Sequence, residues 1–126
     1  MKNADLPLDA VVKKLHIGTF RRHVLLCAGP DCCEPDVGEA AWKALKDELK
    51  DRGLSLADGP NACYRTKAAC LRVCRDGPTM VVYPEGTWYH GMTAERIPQF
   101  VRQHLIEGQP VREWIFTEHP LTEPSR

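Results

Sequence analysis

Six cysteines in 126 residues are the side chains best suited to chemistry here. Cys27 closes the apolar run "RRHVLLC", and Cys32 and Cys33 follow in "AGPDCCEPDVG". Cys70 and Cys74 lie in "ACLRVCRDG", and Cys63 in "NACYRTKA". Buried thiols that bind nothing are one reading, since cysteine is among the most buried residue types. Structural zinc is another, because C-x4-C at 27 and 32 and C-x3-C at 70 and 74 both fall in the range of zinc knuckles. A [2Fe–2S] centre is a third, since four cysteine thiolates also hold it. A thioredoxin-type dithiol fits less well, because it needs C-x-x-C after the first strand. A Rieske centre needs two histidine ligands on one iron. His23 and His90 are badly placed for that and read as surface or half-buried side chains.

Composition bears on the choice. The chain is 43% hydrophobic and 27% charged, that of a one-domain globular protein. Seventeen basic residues balance seventeen acidic ones. There is therefore no net field to draw the chain to nucleic acid or to an anionic membrane. No apolar run approaches the length of a membrane span. The opening "MKNADLPLDAVVKKL" has no apolar core of signal-peptide length, so a cytoplasmic protein is expected. In a reducing compartment, cysteines bind metal or do redox chemistry more often than they form staples.

The elements that must position these thiols follow from periodicity and chain breakers. Leu8, Val11, Val12 and Leu15 recur at helical spacing. His23–Cys27 reads as a buried strand. A helix at about 37–52 has Trp42, Leu45 and Leu49 on one face, Asp36 with Glu39 as a capping box, and Gly53 as its stop. "NACYRTKA" alternates as a strand does. Strands at 79–83 and 87–90 flank Pro84-Glu85-Gly86, the signature of a type I turn with a glycine bulge. A last helix is expected from Thr93, with Ile97, Phe100, Val101 and Leu105 on its core face; Pro98 either lies near its first turn or kinks it and removes one hydrogen bond. Trp114, Ile115 and Phe116 in the tail are too apolar to be left loose.

The order β-α-β, cysteine turn, β-hairpin, helix outlines a thioredoxin-like α/β fold with a mixed four-stranded sheet. The expected division is an N-terminal extension at 1–21, a domain at 22–110 and a docked tail at 111–126. In this topology both cysteine loops leave one end of the sheet, where four thiolates could converge. The helix N-terminus near Asp36–Gly38 and the cations Arg65, Lys67, Arg72 and Arg75 would offset their charge, a solvated face being the other reading of the arginines. Gly29 and Gly77 would let backbone amides approach sulfur closely. Asp31, Glu34 and Asp36 oppose that offset.

"CLRVCRDGPTMVVYPEGTWYHGMT" resembles the C-terminal motif of the thioredoxin-like [2Fe–2S] ferredoxins: a C-x3-C pair, Gly-Pro, then an apolar hairpin. "HVLLCAGPDCC" resembles the strand that delivers their first ligand, and the likeness covers about residues 22–121. The C-x4-C and C-x3-C arrangement is similar to that of the cluster-bearing thioredoxin-like subunit of respiratory NADH dehydrogenases. The resemblance implies a one-electron carrier rather than an enzyme. It also implies transient docking to redox partner proteins and a homodimer. Carried over, the ligands of a [2Fe–2S] cluster would be Cys27, Cys32, Cys70 and Cys74. Stand-alone members often have a longer first gap, and Cys33 competes with Cys32. Cys63 is outside the ligand set and reads as a packed thiol, with a spare ligand as the alternative. A cluster-based redox or iron sensor, or a zinc or thiol-disulfide module on the same fold, are the alternatives.

Overall fold

The computed structural model describes residues 2–29, 33–55 and 62–121. Five strands, β1 (Arg22–Cys27), β2 (Cys63–Ala68), β3 (Thr79–Tyr83), β4 (Thr87–Tyr89) and β5 (Ile115–Glu118), form one sheet in the order β2-β1-β3-β4-β5. Among the described residues, pairing is parallel between β1 and β2 and antiparallel elsewhere. The mixed α/β architecture is the expected one, with five strands rather than four. The extra strand forms because Ile115–Glu118 pairs with the free edge of β4. That supplies partners for backbone groups that would otherwise be bare.

Helix α2 (Pro35–Asp51) crosses over between β1 and β2. The expected capping box does not form. Glu34 is the N-cap residue, Pro35 opens the helix, and no side chain among the described residues caps it. Proline suits that place because its missing N–H would have had no helical partner there. At the other end Gly53 takes φ +70°, its N–H donates to Lys50 O, and Leu54 N–H donates to Leu49 O. These two bonds make a Schellman stop, with Leu49 and Leu54 packed in the core as that motif favours.

The last helix starts later than Thr93. Helix α3 (Ile97–Phe100) has Pro98 in its first turn, the only helical place where the ring and the missing N–H do no harm. It then widens into π-helical turns over Val101–Ile106, and Gly108 at φ +74° follows their end. Near the N-terminus, helix α1 (Leu8–Lys14) buries no residue, and Leu8 is 79% exposed. Among the described residues, no helix is long and apolar enough to cross a membrane.

Alternation along the strands fixes two faces. Val24, Leu26, Met80, Val82 and Tyr89 enter the core with Ala41, Leu45, Leu49, Ile97, Phe100 and Val101 from the helices. Leu25, Cys27, Thr79, Val81 and Tyr83 point to the opposite face. In the hairpin, Gly86 N–H donates to Val82 O at 2.7 Å and Gly86 takes φ +68°, the left-handed state a glycine bulge requires. A Cβ on Gly86 would also fall on the His119 carbonyl oxygen, so β5 can pass only a glycine there.

Candidate functional site

The parallel pair β1–β2 builds the site. Its register sets Cys27 beside Ala68, so both cysteine loops begin side by side. Ala28 N–H donates to Ala68 O at 3.2 Å, and a Cβ on Gly29 would land on the Ala69 carbonyl oxygen. Glycine at 29 therefore serves the contact between the two loops. Gly38, in the first turn of α2, lies against Ala28, where an added Cβ would stand 2.9 Å from the Ala28 Cα. The positive end of the helix thus abuts the residue that follows Cys27.

The thiols differ in exposure. Cys27 is only 3% exposed, with its Sγ 4.0 Å from Ala69 O. Cys33 is half-buried, whereas Cys70 and Cys74 are exposed. Cys32 lies outside the described residues, as does Asp31. Among the described residues, no three His, Cys, Asp or Glu side chains are grouped closely enough to hold a metal ion. Cys63 opens β2 at the far end of the sheet, 1% exposed, and burial pushes its thiol pKa up. That is a packed thiol, as expected.

The second cysteine loop is tightly wound, with left-handed residues at every second position from 72 to 76. Arg72, Cys74 and Asp76 all have positive φ, and the Arg72 N–H donates to Cys70 Sγ at 3.2 Å. Successive N–H groups in such a conformation make a concavity suited to anions. These features fit an anionic sulfur-ligated group: a deeply buried thiol on one arm, an exposed thiol that accepts a backbone N–H on the other, and a helix N-terminus behind.

The cations offset less charge than the sequence suggests. Lys67 pairs with Glu39 at 2.8 Å, and Arg75 with Asp76 at 3.4 Å. Arg65 turns to the helix side and stacks over Trp42, 5.6 Å from the ring centroid. Arg72 remains an exposed cation beside Cys70. His23 is half-buried and shares a hydrogen bond with Thr66 Oγ1 at 2.8 Å; burial lowers its pKa. His90 is half-buried against Phe116.

Sequence reasoning passed over two features. Thr79, the register partner of Cys27, is 0% exposed, and its hydroxyl has no hydrogen-bond partner among the described residues. The alternation of "TMVVY" already separates Thr79 from the core-facing Met80 and Val82. The other is a polar cluster at the opposite end of the sheet. Arg22 Nε donates to Glu85 Oε2 at 2.7 Å, and His104 Nε2 lies 2.8 Å from the same oxygen. Tyr89 OH meets His104 Nδ1 at 2.7 Å and accepts from Val111 N–H at 3.1 Å. These residues are spread from 22 to 111, so no local pattern could signal them.

No family model matches the chain. Curated relatives do. A provisionally named 2Fe-2S ferredoxin of Priestia megaterium is 30% identical over 99 residues, which are 79% of this chain and 72% of that protein. A 2Fe-2S ferredoxin of Clostridium pasteurianum is 36% identical over 70 residues, 56% of this chain and 64% of the relative. Among solved structures, a thioredoxin-like [2Fe-2S] ferredoxin from Aquifex aeolicus superposes with a TM-score of 0.65. It is 23% identical in sequence, and the match covers 83% of this chain and 96% of that one. A cysteine-to-serine variant of it matches with a TM-score of 0.66 at 23% identity, over 77% of this chain and 99% of the variant.

Proposed function

The chain belongs to the thioredoxin-like [2Fe–2S] ferredoxin family, and on that premise we propose that Cys27, Cys32, Cys70 and Cys74 are the cluster ligands. The protein is an electron carrier that uses a [2Fe–2S] cluster. The cluster supplies the one-electron chemistry, and the chain supplies ligands, burial and hydrogen bonds that set its potential. The register partnership of Cys27 with Ala68 carries the ligand reading, because it starts both cysteine loops at one point. Cys27 makes the buried arm, whereas Cys70 and Cys74 make an exposed arm through which an electron can leave the protein.

Electron exchange with partner proteins is transient. Exposed Arg72 beside Cys70 favours an acidic patch on the partner, and such encounters are small and steered by charge. A homodimer is the second part of the proposal. Val73, Tyr83, Trp88, Phe116 and Leu121 line one groove on the face away from the helices, with Phe116 44% and Leu121 66% exposed. Such a surface suits a second copy. The cytoplasm, where thiolates stay reduced for cluster assembly, is the proposed location.

The test is iron and acid-labile sulfide content with EPR of the reduced protein, followed by serine substitution at each cysteine. Cys32→Ser, Cys27→Ser, Cys70→Ser and Cys74→Ser should abolish or grossly alter the signal. Cys33→Ser and Cys63→Ser should leave it intact. Disruption by Cys33→Ser alone would move the second ligand to Cys33. A colourless protein without iron or sulfide after anaerobic purification overturns the cluster itself.

A further inference from the structure

The hydroxyl of Thr79 is fully buried and has no hydrogen-bond partner among the described residues. Buried hydroxyls are nearly always bonded, because an unbonded one has given up water for nothing. Thr79 opens β3 directly opposite Cys27 in an antiparallel pair. Opposed residues in such a pair point to the same face, with Cβ atoms about 4.5–5.5 Å apart. The same alternation that sends Leu26 and Met80 into the core sends Cys27 and Thr79 to the other side. The second cysteine loop crosses that side, since Val73 shares a groove with Tyr83 and Trp88. The unpaired hydroxyl therefore sits beside a cluster ligand, under the loop that carries two more.

We propose that the Thr79 hydroxyl donates a hydrogen bond to cluster sulfur on the Cys27 side and thereby raises the reduction potential. The inference rests on the reading of Cys27 as a cluster ligand. Reduction adds one negative charge, some of which resides on sulfur, and a donor aimed there stabilises the reduced form more than the oxidised one. Hydrogen bonds to the sulfurs are one of the levers that set such potentials. Thr79 acts on the cluster directly, through that one bond. It touches the group that takes the electron and moves neither proton nor electron itself.

Thr87 provides an internal control. Its hydroxyl is also fully buried and unpartnered among the described residues, but it opens β4 at the opposite end of the sheet. Midpoint potentials are measured on the holoprotein of the wild type and of Thr79→Val, Thr79→Ala, Thr79→Ser and Thr87→Val. Thr79→Val and Thr79→Ala should shift the reduction equilibrium about tenfold toward the oxidised state, which is about 59 mV for a one-electron couple. Thr79→Ser should hold the wild-type potential, and Thr87→Val should not move it. Resonance Raman spectra should show the Fe–S stretching bands of Thr79→Val displaced and those of Thr79→Ser unchanged. An unchanged potential in both Thr79→Val and Thr79→Ala overturns the inference, as does a Ser variant that behaves like Val. If the wild type carries no iron or sulfide, the cluster falls; if it carries iron and sulfide but Cys27→Ser keeps the wild-type signal, the ligand reading falls. Both outcomes are distinct from a flat Thr79 series on an intact cluster.

Discussion

Nε2 of His104 lies 2.8 Å from Oε2 of Glu85, and the imidazole has no exposed surface. The carboxylate can only accept, so Nε2 carries the proton and Nδ1 accepts from the Tyr89 hydroxyl. Tyr89 in turn accepts from Val111 N–H, just ahead of β5. Arg22 on β1 completes the set through Glu85. One carboxylate thus ties β1, the hairpin turn and the π-helical segment together. Glu85→Ala should cost about 3 kcal/mol by urea denaturation, since it strands a largely buried guanidinium and an imidazole N–H. Glu85→Gln, which can still accept, should cost less.

The same cluster sets how stability responds to pH. Burial lowers the His104 pKa, although Glu85 pulls it the other way. Below about pH 6.5, the ordinary histidine value, the unfolded chain takes up a proton that native His104 refuses. Stability must then fall as pH falls. Half-buried His23, also lowered by burial, adds to this arm. For Glu85, burial pushes the carboxyl up, but donation by His104 and Arg22 outweighs it and the net shift is down. Its contribution is present above about pH 4.5 and is lost as pH drops toward the native value. At the alkaline end, burial pushes Tyr89 up to about 12, so stability is lost between about pH 10, the ordinary tyrosine value, and that point. Urea midpoints across the pH range should trace both arms, and His104→Gln should flatten the acid arm.

Gly29→Ala should separate the cysteine loops. Its Cβ would collide with the backbone oxygen of Ala69, which no rotamer can relieve. Iron bound per chain should drop severalfold, with a fall in Tm. Gly53→Ala is the comparison. It is strained by φ +70° but meets nothing within 4 Å. It should lower Tm through a cost of about 1 kcal/mol while leaving iron content unchanged.

Cys63→Ser should destabilise the protein without touching the cluster. The thiol is packed in the core, and a hydroxyl there would need a partner. A loss of about 1–3 kcal/mol is expected by denaturation. Visible absorption and EPR should match the wild type.

Phe116→Asp should give a monomer. The ring packs against Trp88 with centroids 6.3 Å apart, yet is 44% exposed in the groove proposed for a second copy. Sedimentation equilibrium of the wild type and the variant checks it. A wild type that sediments as a monomer removes the homodimer from the proposal.

The sequence and the structure agree most where short-range patterns decide. The alternation in "TMVVY", the apolar run ending at Cys27 and the stop at Gly53 are local, and each element lies within a residue or two of its expected place. Where two local signals competed, the structure chose the stronger constraint. Pro35 overrode the Asp36–Glu39 capping box, and Pro98 delayed the last helix to Ile97. Long-range features were not legible. No spacing rule foretells that Ile115–Glu118 pairs with β4, or that Arg22, Glu85, Tyr89 and His104 converge. The site was partly legible, because a parallel βαβ unit brings the ends of both strands to one edge whatever the side chains are. The charge around it was not. Partners such as Glu39 for Lys67 and Trp42 for Arg65 depend on which face each strand residue takes.

The two outermost strands bear on how the protein meets its neighbours. An edge strand offers a ladder of open hydrogen-bonding groups that another chain can extend into an aggregate. At one margin β2 carries Arg65 and exposed Lys67. At the other, β5 is only four residues long and is followed at once by His119 and Pro120. Charge discourages extension at the first margin, and brevity with proline does so at the second. Both margins thereby oppose strand-to-strand growth, which leaves the aromatic side of the sheet, with Trp88 and Phe116, as the surface open to the second copy proposed above.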